Sequence, residues 1–515
     1  MVNRVVVAGG GTAGCIVAAR LSDNPNNLVT LLEAGPDYPD VAAAPDDIRS
    51  GYIFGGTGHD WGYEAELGPR GAEGADGPIV VAALRGKVVG GSSAVNGTSI
   101  LRAHPADFGP WEAAGNPLWS WDQVLPAFCR LENDPAPGSW HGHDGPLHIH
   151  RFTGSEMRPV HRAFLEACAD QAHPLLEDHN APDAIGAGPI PLNQVAGVRQ
   201  SSAVICLAQA RGRPNLVVRS GVMIDRIETA QGRPSAVVLA DGERVDGDTF
   251  VICAGVYGSP AILMRSGIGP TDHLGSLGIE TRVDLPAVGK NLRDHPNFVI
   301  ATDGDLDALG ELDPPVQTTL TLATDGSGDP ACIDIQVALA VTTPSTTEWF
   351  QSSPGTLLFG VALVKPRSVG RVELASRSPE AAPRIWFNFF DDSTDAERLA
   401  AGVLATRAII SSPALAPFVG IERFPGAEVT ADALSDLVRT ASLSYAHGTG
   451  TCRMGPDPST SVVDQTGKVH GFDNLFVVDA SIMPGLPSVP TNFTTMMVAA
   501  RCAEWLHDSL EGDAT

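Results

Sequence analysis

RVVVAGGGTAGCIVAARLSDNPNNLVTLLE, residues 4–33, decides the fold. RVVVA, residues 4–8, is a short apolar run of the kind that forms a fully buried strand. Gly9, Gly10 and Gly11 follow, then TAGCIVAARLSD with helical spacing, then LVTLLE, residues 28–33, as a second strand. This is one strand–helix–strand unit in about 30 residues. Gly9, Gly11 and Gly14 form GxGxxG between strand and helix. The first glycine allows the tight turn. The second lets the backbone approach a pyrophosphate at the helix N-terminus, and the third lets helix and strand pack closely. Glu33 ends the second strand, where a carboxylate can accept hydrogen bonds from both hydroxyls of an adenosine ribose. The unit predicts a dinucleotide site in an α/β fold. By itself it does not separate FAD from NAD.

The surrounding chain has 515 residues, enough for two or three domains or one large composite fold. Its net charge of −26 repels phosphate backbones and anionic lipid, so the expected partners include no nucleic acid and no membrane. Eight cysteines are scattered without a CxxC pair, which suggests reduced core thiols and a cytoplasmic location. The N-terminus enters a strand pattern at once and lacks the features of a signal peptide. No apolar run approaches the roughly 20 residues of a membrane helix.

Residues 35–90 are rich in Gly, Pro and Asp and read as extended surface loops. A helix is predicted from Trp121 to Leu131, with loop again over 134–150. Short β segments with Gly/Asp turns begin at Asn215, and GSPAILMRSGIG turns helical. Residues 297–345 and 356–390 alternate apolar and polar positions, predicting an antiparallel sheet with one wet face. Residues 394–440 read as helices, NLFVVDA as a strand, and TTMMVAARCAEWLHDSL as a closing helix.

Five further segments resemble the glucose–methanol–choline (GMC) oxidoreductases, a family of FAD enzymes. They are HDWGYEAE, RGKVVGGSSAVNG (Arg85–Gly97), GSPAILMRSGIGP (Gly258–Pro270), VGKNLRDHP (Val288–Pro296) and VVDASIMP. The physical reading of GGSSAVNG is that Gly90, Gly91 and Gly97 bring bare backbone against a flat ring. The resemblance implies that this loop wraps the isoalloxazine, with Asn96 and Gly97 beside its reactive nitrogen. It also implies that Val222 offers its backbone to the adenine, and that Asp479 and Ala480 meet the ribityl chain and phosphates. Thr12, Ala13, Ala34, Arg85, Val89, Ser93, Thr98, Asn492 and Phe493 complete the implied cofactor set. Some relatives attach FAD through a histidine inside the GGSS segment. Here that segment has none, and His104 lies beyond it, so FAD is expected to bind noncovalently.

By the same resemblance, the catalytic base is His447 in SYAHGTGTCRMG, with Tyr445 lining the substrate side. Oxidising an alcohol needs a base for the hydroxyl proton while hydride leaves the carbon, and histidine suits that task. Many relatives carry a second histidine or asparagine eleven residues after the aspartate of VVDAS; here that position is Pro490. Proline has no side-chain donor or acceptor. Asn492, two residues on, is the candidate replacement as a second catalytic residue.

WHGHDGPLHIH, residues 140–150, holds four histidines, and His148 and His150 alternate as on one face of a strand. It also resembles a structural segment of the family, and no metal is expected. Cys452 reads as a small buried residue.

The expected architecture is a discontinuous Rossmann-like FAD-binding domain, residues 1–150, 195–296 and 438–515. The substrate domain, an antiparallel sheet with helices, takes residues 151–194 and 297–437. The implied activity is oxidation of an alcohol or sugar-like CH–OH group, with electrons passing to oxygen or another acceptor. The alternatives are a dehydrogenase using a quinone or mycofactocin-type acceptor, a non-redox lyase or photodecarboxylase, and an inactive flavin-binding protein.

Overall fold

The computed structural model describes residues 2–512 other than 55–57, 69–72, 75–76, 325–331 and 347–351. Strand β1 (Asn3–Ala8) lies between β2 (Asn27–Leu32) and β4 (Thr249–Ile252); β3 (Leu216–Arg219) flanks β2, and Leu475–Val477 closes the other edge. All five strands are parallel. A parallel sheet buries both faces, which is why β1 and β4 are near-continuous apolar runs. Helix α1 (Thr12–Leu21) and the C-terminal helix Asn492–Gly512 pack against one another.

The second sheet is antiparallel. Its spine is β5 (Pro296–Gly304), β6 (Val316–Leu322), β7 (Ile335–Val341) and β8 (Leu357–Leu363), in the spatial order β5-β8-β7-β6. Ala187–Pro189 extends it beyond β6, while Val419–Phe424 and Leu443–Ser444 pair with β5. Alternation decides its faces. Phe298, Ile300, Val337, Leu339, Phe359 and Val361 enter an apolar core that includes Leu399 and Val403 of the long helix Ser393–Ile410. The intervening residues Asn297, Val299, Ala338 and Gly360 look into an internal cavity. The predicted wet face is therefore the floor of that cavity rather than a solvent-facing surface.

Two expectations change. The stretch 35–90 is not all loop: Glu64–Glu66 and Val80–Ala82 join Arg371–Glu373 and Arg384–Trp386 in a four-stranded sheet. That sheet draws strands from both expected domains. Residues 394–440 are not all helix either, because the strand Val419–Phe424 separates two helices. Strands this short offer too few alternations to stand out in sequence. Among the described residues, no helix is long and apolar enough to cross a membrane.

Candidate active site

A cavity of about 1350 Å³ runs from the carboxyl ends of the parallel strands to the floor made by the antiparallel sheet. Gly9, Gly11, Thr12, Ala13, Glu33, Ala34, Arg85, Asn96, Gly97, Val222, Asp479, Ala480 and Asn492 all line it, as do Tyr445 and His447. Gly14, Val89, Ser93, Thr98 and Phe493 stand behind the lining. Ser93 Oγ donates to Gly90 O at 2.6 Å and lies 3.1 Å from Ser202 Oγ. Thr98 Cα sits in the left-handed region with its amide on Asn96 Oδ1. Phe493 is wholly buried against Phe128. These residues support the lining from behind.

The glycines of GxGxxG divide by role. A Cβ on Gly14 would lie 1.9 Å from Gly9 O, and one on Gly9 would lie 2.5 Å from Cys253 O. Both are required by the protein's own packing. A Cβ on Gly11 would meet nothing closer than Gly91 Cα at 3.8 Å, so that space is open to a ligand. Glu33 Oε2 accepts from the Gly10 amide at 2.9 Å and Oε1 from the Gly35 amide at 2.8 Å. Burial outweighs these bonds and pushes its carboxyl up to about 7. Asn492 Nδ2 is buried at the cavity with no partner among the described residues, a donor positioned for a ligand acceptor. An open pyrophosphate cradle, an acid for the ribose and an orphaned donor fit a bound dinucleotide.

Two lining residues are held by the protein's own hydrogen bonds. The Val222 amide donates to Glu33 O at 2.9 Å. The Asp479 carboxylate is also engaged: Oδ2 accepts from the Gly255 amide and Ser259 Oγ, and Oδ1 from the Ser481 amide. It ties the C-terminal segment to the start of the helix Gly255–Arg265.

The loop bearing His447 is clamped. Ala446 adopts φ +63°, a conformation a non-glycine residue holds only when its surroundings impose it. Arg85 Nη1 donates to Ala446 O at 2.8 Å. The buried Asp294 accepts the His447 amide at 2.8 Å and Ser444 Oγ at 2.6 Å. Behind the loop, His295 Nδ1 lies 3.0 Å from His447 Nδ1, and His295 Nε2 lies 3.0 Å from Pro487 O. A carbonyl only accepts, so His295 carries its proton on Nε2. Burial drives His295 down to about 3, so it is neutral and its Nδ1 accepts. His447 must then donate from Nδ1. Burial, followed by the neighbouring His295 and Arg85, holds His447 well below the usual histidine range. Its Nε2 is therefore left as a bare acceptor. Pro487 is fixed in turn, since Lys365 Nζ donates to Leu486 O at 2.7 Å and Asp107 Oδ2 accepts the Ser488 amide at 3.0 Å.

The structure brings His295, not Asn492, against His447. His295 lies in the VGKNLRDHP run, where an aspartate–histidine pair was the available signal. Arg199 was also missed. Its buried guanidinium donates to the carbonyls of Ala94 and Asn96, and so holds the GGSSAVNG segment. His148 is exposed and His150 faces Glu156 at 3.5 Å. The buried groups near them are Glu132, Asp134 and His141. Arg102 pairs with Glu132, Arg151 bridges Asp134 and Asp178, and His141 Nε2 meets Asp178 at 2.9 Å. Three carboxylates facing three basic groups make a charge-balanced network. Cys452 is wholly buried, and burial raises its thiol well above the usual value.

Residues 3–297 match the N-terminal domain of GMC oxidoreductases and residues 366–499 the C-terminal domain. The chain belongs to the GMC oxidoreductase family. An uncharacterised GMC-type oxidoreductase of Rhodococcus erythropolis is 34% identical over 511 residues, covering 97% of each chain. Oxygen-dependent choline dehydrogenase of Burkholderia mallei is 32% identical, covering 98% of this chain and 94% of its own. Among solved structures, pyridoxine 4-oxidase from Mesorbium loti superposes with a TM-score of 0.87 at 32% identity, covering 98% of this chain and 99% of its own. Formate oxidase superposes with a TM-score of 0.89 at 25% identity, covering 100% and 99%. GMC oxidoreductases bind FAD, and the residues that line this cavity fit that cofactor.

Proposed function

We propose that this GMC oxidoreductase converts an alcohol or sugar-like CH–OH group to a carbonyl, with His447 as general base. The isoalloxazine of noncovalently bound FAD, when present, supplies the hydride acceptor. The chain's own residues hold the hydroxyl and take its proton. His447 Nε2 accepts that proton, while Nδ1 stays donated to His295. Arg85 and Asp294 keep the imidazole in place by gripping both ends of the peptide unit that precedes its Cα. Asn96, Gly97 and Asn492 line the cavity and would border the flavin ring when FAD is bound, and Tyr445, with its ring 4.4 Å from that of His447, narrows the approach. In this reading Asn492 contacts cofactor or substrate directly and does not orient the base. The absence of any histidine from Arg85–Gly97 supports noncovalent binding. The choline- and pyridoxine-oxidising relatives support an alcohol substrate.

The observation carrying this reading is the run Pro487 O, His295, His447, which leaves an unprotonated nitrogen facing the cavity. Its test is anaerobic flavin reduction by a panel of alcohols. The His447→Ala protein should stay yellow and be reduced roughly 100- to 10,000-fold more slowly. Reduction at the wild-type rate would remove His447 from the chemistry.

A further inference from the structure

We propose that Asn297 selects the substrate, accepting a hydrogen bond from a second O–H or N–H group on a flat, uncharged, ring-bearing alcohol. The inference rests on the alcohol-oxidation reading above and adds the substrate class. Asn297, near the start of β5, is two residues beyond His295, about 6.6–6.8 Å along extended chain. His295 touches the base, so Asn297 stands one step from the chemistry. Its side-chain oxygen is buried, has no partner among the described residues, and belongs to a side chain lining the cavity. A buried acceptor of this kind is completed by a ligand donor.

The surroundings define that ligand further. Val299, Gly360 and Ala338 are paired across β5, β8 and β7, so one cross-strand row of the floor carries only small side chains. Gly360 matters most: a Cβ there would lie 3.4 Å from Asn297 Oδ1, and its lack leaves room for a ring edge beside the amide. Among the described residues, the charges lining the cavity from this sheet are Asp303 and Arg423, which pair at 2.7 Å and are largely exposed. The floor thus offers an ammonium no free carboxylate and a carboxylate no free cation. A planar neutral body over the floor, with one donor reaching Asn297, fits these walls.

The experiment uses the full-length FAD-loaded protein and two readouts. Dissociation constants of phenol and anisole come from perturbation of the flavin spectrum, which needs no turnover. Reduction rates of 3-hydroxybenzyl alcohol, 3-methoxybenzyl alcohol and choline come from anaerobic bleaching. The wild type should favour each hydroxyl compound over its methyl ether by about tenfold, the usual worth of a hydrogen bond to a buried acceptor. Asn297→Leu should bring that ratio close to one. Asn297→Asp, which keeps an acceptor, should retain the preference and improve the use of choline. Equal ratios in the wild type and Asn297→Leu, or a wild type that prefers choline, would overturn the inference. If phenol binds with an Asn297-dependent preference but no alcohol bleaches the flavin, the subsite stands and the oxidation reading falls. If alcohols bleach the flavin with no Asn297-dependent preference, the reverse holds.

Discussion

Replacing His295 by leucine removes the acceptor that fixes the proton on His447. In the native protein the His447 Nδ1–H has one partner among the described residues, the wholly buried His295, whose Nδ1 lies 3.0 Å away. Leucine leaves that N–H unpartnered and away from water, which costs about 1–3 kcal/mol. The imidazole can avoid the cost by moving its proton to Nε2 or by rotating, and both withdraw the base from the substrate. One to three kcal/mol is about 5- to 150-fold in rate. The limiting rate of flavin reduction, read by anaerobic stopped flow, should fall within that range. The dissociation constant for substrate should change far less, because the hydrogen bond does not touch substrate. Flavin content and near-UV dichroism should match the wild type, showing that the loss is not misfolding. His295→Gln, which can return an acceptor near the same place, should recover part of the rate. A leucine variant that reduces at the wild-type limiting rate would refute the orienting role and the tautomer derived from it.

Three further outcomes are expected. His447 is held well below the ordinary histidine value, so it stays unprotonated as pH falls through 6.5. The limiting reduction rate should therefore be flat there, and a fall centred near 6.5 would contradict the burial argument. Gly11→Val should fold with near-native stability yet lose FAD, whereas Gly14→Ala should fail to fold, because only the second Cβ strikes the protein's own backbone. Denaturation midpoints and flavin content separate the two. His141 is raised to about 9: burial opposes its charge, but hydrogen bonds to Asp178 and Glu132 outweigh it. A raised native pKa contributes stability that is complete below the unfolded value near 6.5 and is lost as pH rises through about 9. The melting temperature should decline across that interval, and His141→Gln should flatten the decline.

The dinucleotide half was legible because its signals are local. One strand, three glycines and one acid lie within 33 residues, and each has a backbone reason for its position. The candidate base His447 was marked by the resemblance of its flanking run. Its partner was not, since His295 and His447 are 152 residues apart and meet only after β5 and Leu443–Ser444 pair. Counting along the chain from Asp479 led instead to Pro490 and Asn492. The cavity floor was half legible: alternation gave one apolar and one wet face, but sequence carries no mark distinguishing an internal chamber from solvent.

The order of the parallel sheet has a consequence for how the protein is made. Its central strand is complete by Ala8, but its last strand begins at Leu475, and the helix that covers α1 starts only at Asn492. At about 5–20 residues per second, the ribosome needs roughly half a minute to a minute and a half to cover that distance. Once Ile252 has been made, the apolar edge of β4 waits for a neighbour more than 200 residues downstream. Flavin capture therefore belongs to the finished polypeptide, not the growing one. A chain stopped anywhere before the final strand would carry the entire GxGxxG segment and still lack a completed sheet to support it. For a host cell, the early signature motif is the last part of the protein to become useful.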